Sequence, residues 1–193
     1  LLFDLLNKSP KDGVIAECGV GAGFSLSVLS KISSKKIYAF DSFEGFPYEI
    51  SDHDHKNLLN VLKFNKWHYK LMTIKKVKEN LSNSGINIKD IEKKIIFRKG
   101  FFPNSFEGFT EKISFLHLDV DLYKSYKDCL EFFFPKIIEG GIVTFDEYYD
   151  KISDSPKGWD WRGANVAIDE FVEKNDLELL KHSTGYRYII KNK

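Results

Sequence analysis

Acids stand at the ends of three apolar, β-branched runs. Asp41 follows Ile37-Tyr38-Ala39-Phe40, Asp119 follows Ile113 to Leu118, and Asp146 follows Ile142-Val143-Thr144-Phe145 with Glu147 beside it. In an open α/β sheet, ligands bind outside the carboxyl ends of the strands. Charges gathered there cost stability, so these acids read as functional before they read as structural. If the fourth and fifth strands are neighbours, Asp119, Asp146 and Glu147 converge. Carboxylates so placed must protonate, take up lysines or bind a cation. Ligands that are all oxygen suit a hard ion such as Mg²⁺, completed by water and substrate oxygens. Cys18 and Cys129 lie far apart and make no zinc set with histidine.

A second set comes earlier in the chain. Glu17-Cys18-Gly19-Val20-Gly21-Ala22-Gly23 follows Val14-Ile15-Ala16. Glycines allow close backbone approaches, and the start of a helix presents free amides. The nicotinamide pattern G-x-G-x-x-G fails, because its last position counted from Gly19 is Phe24. The spacing is instead E-x-G-x-G-x-G. An acid at the strand end repels a pyrophosphate but pairs with a cation, and S-adenosylmethionine carries an ammonium and a sulfonium without phosphate. Asp41 lies 18 residues beyond Gly23, where an acid accepts both ribose hydroxyls. The competing reading is a tight turn with Asp41 capping a loop.

The elements that must hold these residues alternate in type, as βα units feeding a parallel sheet do. Strands are expected at Val14–Cys18, Lys36–Asp41, Ile95–Arg98, Ile113–Asp119 and Ile142–Asp146, the last opened by Gly140-Gly141. Phe24, Val28, Leu29 and Ile32 recur at helical spacing, helices are expected over Tyr126–Phe134 and Ala164–Lys174, and Leu177–His182 with Tyr186–Lys191 reads as a closing hairpin. The result is an α/β, Rossmann-like fold: a seven-stranded, mostly parallel sheet with a C-terminal antiparallel hairpin and helices on both faces. Residues 42–94 exceed a simple crossover. They hold the polar turn Ser51 to His55, helices around Lys56–Lys66 and Lys70–Asn83, and the aromatics Trp67 and Tyr69. This is an elaborated crossover within one domain spanning 1–193, since it could not bury a core alone.

Composition narrows the partners. With 29 Lys+Arg against 28 Asp+Glu the net charge is +1, which argues against gripping nucleic acid. At 42% hydrophobic and 30% charged the chain has a globular composition. Two distant cysteines suit a reducing, cytoplasmic setting, and no apolar run approaches the ~20 residues that cross a bilayer. The opening Leu1 to Leu6 is too short for a signal peptide and carries Asp4. Leu1 stands where an initiator Met would, and the first strand starts soon after it. An N-terminal segment carrying lid or homodimer contacts is therefore expected to be missing.

Several blocks together resemble a known family. Asp119 followed by an acid pair at the next strand end is similar to the metal-dependent O-methyltransferases of the catechol and caffeoyl-CoA type. Glu17 to Val20, Asp41 to Pro47, Lys99 to Pro103, His117 to Tyr123 with Ser125, Gly140 to Tyr148 and Gly163 to Phe171 resemble the macrocin O-methyltransferase family more closely. The resemblance implies a class I methyltransferase fold, S-adenosylmethionine, a divalent metal, and a hydroxyl on a sugar or polyketide-type molecule as acceptor. It implies metal ligation by Asp119, Asp146 and Glu147. It implies donor binding by Glu17, Gly19 and Asp41 with Ser42 beside the adenosine, and Cys18, Gly21, Gly23 and Ser25 complete that loop. The chain departs from the family pattern in having Asp146-Glu147 for Asp-Asp, and Gly21-Ala22 for a bulky pair such as Trp-Arg.

Methyl transfer from a sulfonium is an in-line displacement with the nucleophilic oxygen about 3 Å from the methyl carbon. A bound cation lowers the hydroxyl pKa and fixes vicinal oxygens. Asp119 is the candidate ligand and base together, with Asp121 in reserve. Gly100-Phe101 would flank the adenine. Tyr148, Trp159, Trp161 and Arg162 follow the fifth strand and would meet the acceptor, by stacking or by clamping an anionic group; a hydrophobic lid pinning the loop is the plainer reading. His53 and His55 read as solvated loop histidines within reach of a substrate, and His117 as a packed core histidine. Three rivals stand beside this reading. Tyr123 and Lys127 match Y-x-x-x-K of short-chain, nicotinamide-dependent oxidoreductases, but the glycine turn of that family is absent. A metal-independent methyltransferase would use the acids as hydrogen-bond acceptors. A degenerate scaffold would keep only the fold, against which Glu17, Asp41 and Asp119 speak.

Overall fold

The computed structural model describes residues 1–46, 50–55, 72–151 and 160–192. Among them the order is α1 (Leu2–Lys8), β1 (Val14–Cys18), α2 (Phe24–Ile32), β2 (Ile37–Asp41), α3 (Ile74–Asn83), α4 (Ile88–Lys94) and β3 (Ile95–Lys99), followed by β4 (Ile113–Leu118), α5 (Tyr123–Phe133), β5 (Ile137–Phe145), α6 (Arg162–Lys174), β6 (Leu180–Lys181) and β7 (Arg187–Ile190). One seven-stranded sheet runs β3-β2-β1-β4-β5-β7-β6. The pairs among β1 to β5 are parallel, and β7 runs antiparallel to both β5 and β6. The order reverses at β1, so the ends of β1, β2 and β4 open a crevice there.

Alternation along each strand builds a core on both faces. Ala16, Cys18, Phe40, Leu116, Leu118, Val143 and Phe145 pack beneath α5 and α6 with Tyr126, Cys129, Phe133 and Ile168. Ile15, Ile37, Ala39, Phe115 and Ile142 pack against Leu5 of α1, Leu26 and Leu29 of α2, Val77 of α3 and Ile91 of α4. No helix among the described residues is long and apolar enough to cross a membrane.

Some expectations need correction. On α2 the buried stripe is Leu26, Leu29 and Ser30, while Phe24 is 81% exposed and Val28 42%. Leu29 of the expected stripe is buried and Ile32 packs beside it, but docking against the sheet and α1 turns the helix toward Leu26 and leaves Phe24 and Val28 outside. β5 starts at Ile137 and runs through Gly140-Gly141; Gly140 sits at φ +75°, where the register with β4 slips. α5 begins at Tyr123 and α6 at Arg162, ahead of their apolar stripes. α1 and α4 are helices that the sequence reading did not anticipate. The crossover's second helix runs over Ile74–Asn83, capped by Thr73. The helix expected at 56–66 and the aromatics Trp67 and Tyr69 lie outside the described residues.

Candidate active site

Register places the polar residues in rows. Glu17 of β1 pairs with His117 of β4, His117 with Thr144 of β5, and Thr144 with Tyr188 of β7. Paired residues share a sheet face, so this row lies on the α1–α2 side. Two residues further along come Gly19, Asp119 and Asp146, at the mouth of the sheet. A cavity of about 510 Å³ opens there, lined by Gly19, Gly21, Asp41, Ser42, Gly100, Phe101, Asp119 and Asp121 from the expected site. Glu17, Cys18, Gly23, Ser25, Asp146, Glu147, Tyr148, Trp161 and Arg162 are outside its lining.

On the β1–β2 side the backbone is tied to Asp41. Its Oδ2 accepts from Val20 N at 2.8 Å and Gly21 N at 3.1 Å, and its Oδ1 from Phe43 N at 2.6 Å. Ser42 Oγ donates to Gly45 O at 2.5 Å and accepts from Glu44 N at 3.1 Å, closing the next turn. Gly19 has φ +83°, and a Cβ on it would stand 1.6 Å from the carbonyl oxygen of Asp119, so nothing larger fits. Beneath this loop Glu17 is fully buried, and neither carboxyl oxygen has a partner at hydrogen-bonding geometry. Burial pushes its pKa up to about 8; Asp119 and Asp41 add to the rise, and the nearby Ser25 hydroxyl pulls against it.

On the β4–β5 side carboxylates face one another. Asp119 belongs to two sets whose ligand atoms lie within 4.8 Å of each other: His117, Asp119 and Asp146, and Asp119, Asp121 and Glu147. The expected trio is thus divided between two groups that meet at Asp119. Asp121 joins the cluster from a backbone position at φ +61°. Glu147 is buried, receives the Tyr126 hydroxyl at Oε2, and accepts from Asp121 N at 3.4 Å. Burial, then the charge of Asp119, raises Asp146 to about 7. Burial and the surrounding acids hold Asp121 and Glu147 well above the usual carboxylate range. His117 is the packed core histidine that was expected, 2% exposed with Nδ1 2.9 Å from Thr144 Oγ1, yet it also faces the acids. Reading the cluster as oxygen alone missed that; the alternation His117-x-Asp119 was the available signal. Tyr149 and Tyr186 were also missed: burial and the charge of Asp146 raise both phenols.

The crossover supplies a wall that motif reading did not find. Asp54, 4% exposed, accepts from Ser51 N and from Tyr123 N, each at 3.0 Å, and so caps α5 while lining the cavity. Gly163 of α6 abuts it so closely that a Cβ would stand 1.9 Å from Asp54 Oδ1. His53 stacks on Tyr123 at 4.3 Å, and His55 Nε2 lies 3.9 Å from Asp160. Neither histidine lines the cavity. Arg162 is exposed and clamped by Asp160, with Nε 2.9 Å from Oδ2. Trp161, 8% exposed, packs into the core, and the Tyr148 hydroxyl donates to Asp169 at 2.8 Å. Trp159 lies outside the described residues. The Tyr123 hydroxyl donates to Glu170 at 2.8 Å with Lys127 Nζ 3.5 Å away, and neither Tyr123 nor Lys127 lines the cavity. That placement removes the support for an oxidoreductase.

Comparison with known proteins adds four observations. A family model described as Macrocin-O-methyltransferase (TylF) matches residues 5–177. The chain is 26% identical over 153 residues to an 8-demethyl-8-(2,3-dimethoxy-alpha-L-rhamnosyl)-tetracenomycin-C 4'-O-methyltransferase of Streptomyces olivaceus, across 70% of this chain and 53% of that one. It therefore spans about half the length of this relative. It is similar to the solved O-methyltransferase NovP, with TM-score 0.74 and 21% identity over 98% of this chain and 75% of the other. It is also similar to CalS11, a TDP-rhamnose 3'-O-methyltransferase of calicheamicin biosynthesis, with TM-score 0.62 and 20% identity over 99% and 78%. At such identities the structural likeness shows the fold, that of the class I methyltransferases.

Proposed function

Because the chain belongs to the macrocin O-methyltransferase family, we propose that it transfers a methyl group from S-adenosylmethionine to a hydroxyl of a sugar-bearing or polyketide-type small molecule, with help from a divalent cation. The observation that carries this reading is the double role of Asp119. Its backbone oxygen bounds the glycine loop at Gly19, while its carboxylate joins both acid sets and lines the same cavity as Asp41. Donor loop and acid cluster meet at one residue, as an in-line transfer between a donor and an acceptor requires.

The residues present fit both groups. Asp41 is held with its carboxylate at the cavity wall, where ribose hydroxyls would meet it, and Ser42 lies next to it. Gly100 and Phe101 follow β3 and offer a wall for the base. Glu17 is buried without a partner and pushed up to about 8 by that burial, a cost that a ligand carrying two positive charges would relieve. Burial and mutual charge raise Asp146, Asp121 and Glu147 above the usual carboxylate range, a conflict that a cation would relieve. Asp119, Asp146 and a further ligand from Glu147, Asp121 or His117 would hold that cation. When bound, it lowers the pKa of the acceptor hydroxyl and fixes vicinal oxygens. The Asp119 carboxylate then receives the hydroxyl proton. The sugar named for both similar enzymes supports a glycosidic acceptor here. A metal-independent enzyme would keep the same donor residues and use the acids as hydrogen-bond acceptors.

Labelled methyl transfer to a panel of sugar nucleotides, glycosylated metabolites and catechols tests this, with Mg²⁺ and with excess chelator. The expected result is labelling of a sugar-bearing acceptor that chelator suppresses. Full activity in chelator would sink the cation's role, and labelling of catechols in preference would overturn the acceptor class.

A further inference from the structure

The acid cluster is not made of oxygen alone. His117 of β4 pairs in register with Thr144 of β5, and Asp119 and Asp146 follow them two residues on, just past the strand ends. One nitrogen of His117 and one oxygen each of Asp119 and Asp146 lie within 4.8 Å of one another. We infer that His117 is a metal ligand, and that the His117, Asp119 and Asp146 set takes a transition-metal dication of the Mn²⁺, Fe²⁺, Co²⁺ class in preference to Mg²⁺. The inference rests on the cation reading above and deepens it.

Hydrogen bonding at His117 fits that role. Thr144 Oγ1 lies 3.4 Å from Leu116 O and 2.9 Å from His117 Nδ1; with its proton directed to Leu116 O, it accepts from Nδ1–H. The lone pair then sits on Nε2. A ligating histidine is oriented in this way, its second nitrogen donating to a fixed oxygen that sets tautomer and ring plane. A histidine with two carboxylates is a borderline donor set that favours first-row transition metals, whereas Mg²⁺ seeks oxygen and water. In the alternative set Glu147 is 3% exposed and its Oε2 already accepts from Tyr126 and from Asp121 N, which leaves Oε1 as the oxygen open to a cation. A second observation points the same way. Glu17 pairs in register with His117 on the neighbouring strand and is fully buried, with neither oxygen partnered and with Asp119 and Asp41 as its charged neighbours. Glu17 is thus an unpartnered acid on the strand next to the set, and its charge interaction with Asp119 adds to the need for positive charge there.

The test is metal binding to the stripped full chain, without substrate. Isothermal titration with Co²⁺, Mn²⁺ and Mg²⁺ should give Co²⁺ and Mn²⁺ affinities at least about tenfold above Mg²⁺. Co²⁺ should give a visible spectrum of mixed nitrogen and oxygen ligation. His117→Asn should lower Co²⁺ affinity about tenfold or more and shift that spectrum, while Mg²⁺ affinity changes little. Because His117 is buried, the unmutated protein provides an independent check. Its His117 Nε2 signal, followed by ¹⁵N-labelled imidazole NMR, should take on the shift of a metal-bound nitrogen when diamagnetic Zn²⁺ is added. Equal Co²⁺ and Mg²⁺ binding with unperturbed His117 signals would overturn the nitrogen ligand and leave the cation reading standing. Binding of none of the three metals would overturn both.

Discussion

Asp41 and Asp146 both end parallel strands at the same mouth, and the chain treats them in opposite ways. Asp41 receives Val20, Gly21 and Phe43 amides, so its charge is met by backbone dipoles that the fold itself supplies. Asp146 has Asp119 as its charged neighbour and is pushed up to about 7 by burial and by that charge. Asp121 and Glu147 beside it are raised for the same reasons. The donor half is preorganised by the chain alone. The acid half holds a conflict that protons or a cation must resolve, a usual sign of a site built for something from outside.

Asp119 joins the halves, so its replacement separates them most sharply. Asp119→Asn keeps the size and the backbone contact with Gly19 while removing the shared charge. Turnover should fall on the order of 10³-fold, the range expected for losing a positioned base or ligand. Donor affinity by titration should stay within about threefold, the backbone edge of the loop being untouched. A parallel loss of donor binding would mean the two halves act as one.

The same contrast predicts how stability responds to pH. Glu17 rises from 4.5 to about 8 on folding and Asp146 from 3.8 to about 7. Across that window the folded protein holds protons that the unfolded chain has released. Stability without metal is therefore full at low pH and declines as pH climbs toward 8. A decline of a few kcal/mol is expected between about pH 5 and 8.5, seen as a falling Tm in calorimetry. Glu17→Gln should flatten much of the slope, and a saturating divalent cation should flatten the share due to Asp146. A Tm that rose over this range would show the acids to be solvated and the conflict absent.

Removing Asp41 attacks the satisfied half. Asp41→Ala frees three amides from their common acceptor and deletes the expected ribose contact. Donor affinity should weaken about 10- to 100-fold, corresponding to about 1–3 kcal/mol, with cation affinity unchanged by titration. Unaltered donor binding would count against the assignment and against the idea that this half is preformed for it.

What could be read from the residues follows the same division. Asp41, Asp119 and Asp146 were visible because strand ends announce themselves by local pattern, and parallel order then brings Asp119 and Asp146 together. Asp54 was invisible because its partner, Tyr123 N, lies far along the chain at the start of another helix. His117 was legible as a core residue, but its second role depends on the register of β4 against β5. Phe24 and Val28 show the reverse error: their spacing fits a buried stripe, yet Leu26 and Leu29 take the sheet-facing side. Local periodicity offers candidates there, and tertiary docking chooses among them.

Asp54 yields the smallest effect and tests whether the crossover belongs to either half. Its carboxylate caps α5 at Tyr123 N and the turn at Ser51 N, and Gly163 is closed against it. Asp54→Ala should cost about 1 kcal/mol, the usual value of a lost helix cap, read by urea unfolding. The loop that it pins borders the cavity at Ile50, Ser51 and Asp54, next to Asp121 and Leu122. Loosening this wall should raise the acceptor KM severalfold and leave donor and cation affinities alone, because neither the Asp41 loop nor Asp119 touches Asp54 through a hydrogen bond. Asp54→Asn, which keeps the oxygen facing Tyr123 N, should recover most of both losses. An unchanged acceptor KM in the alanine variant would make the crossover a brace for α5 and confine the acceptor to the acid side.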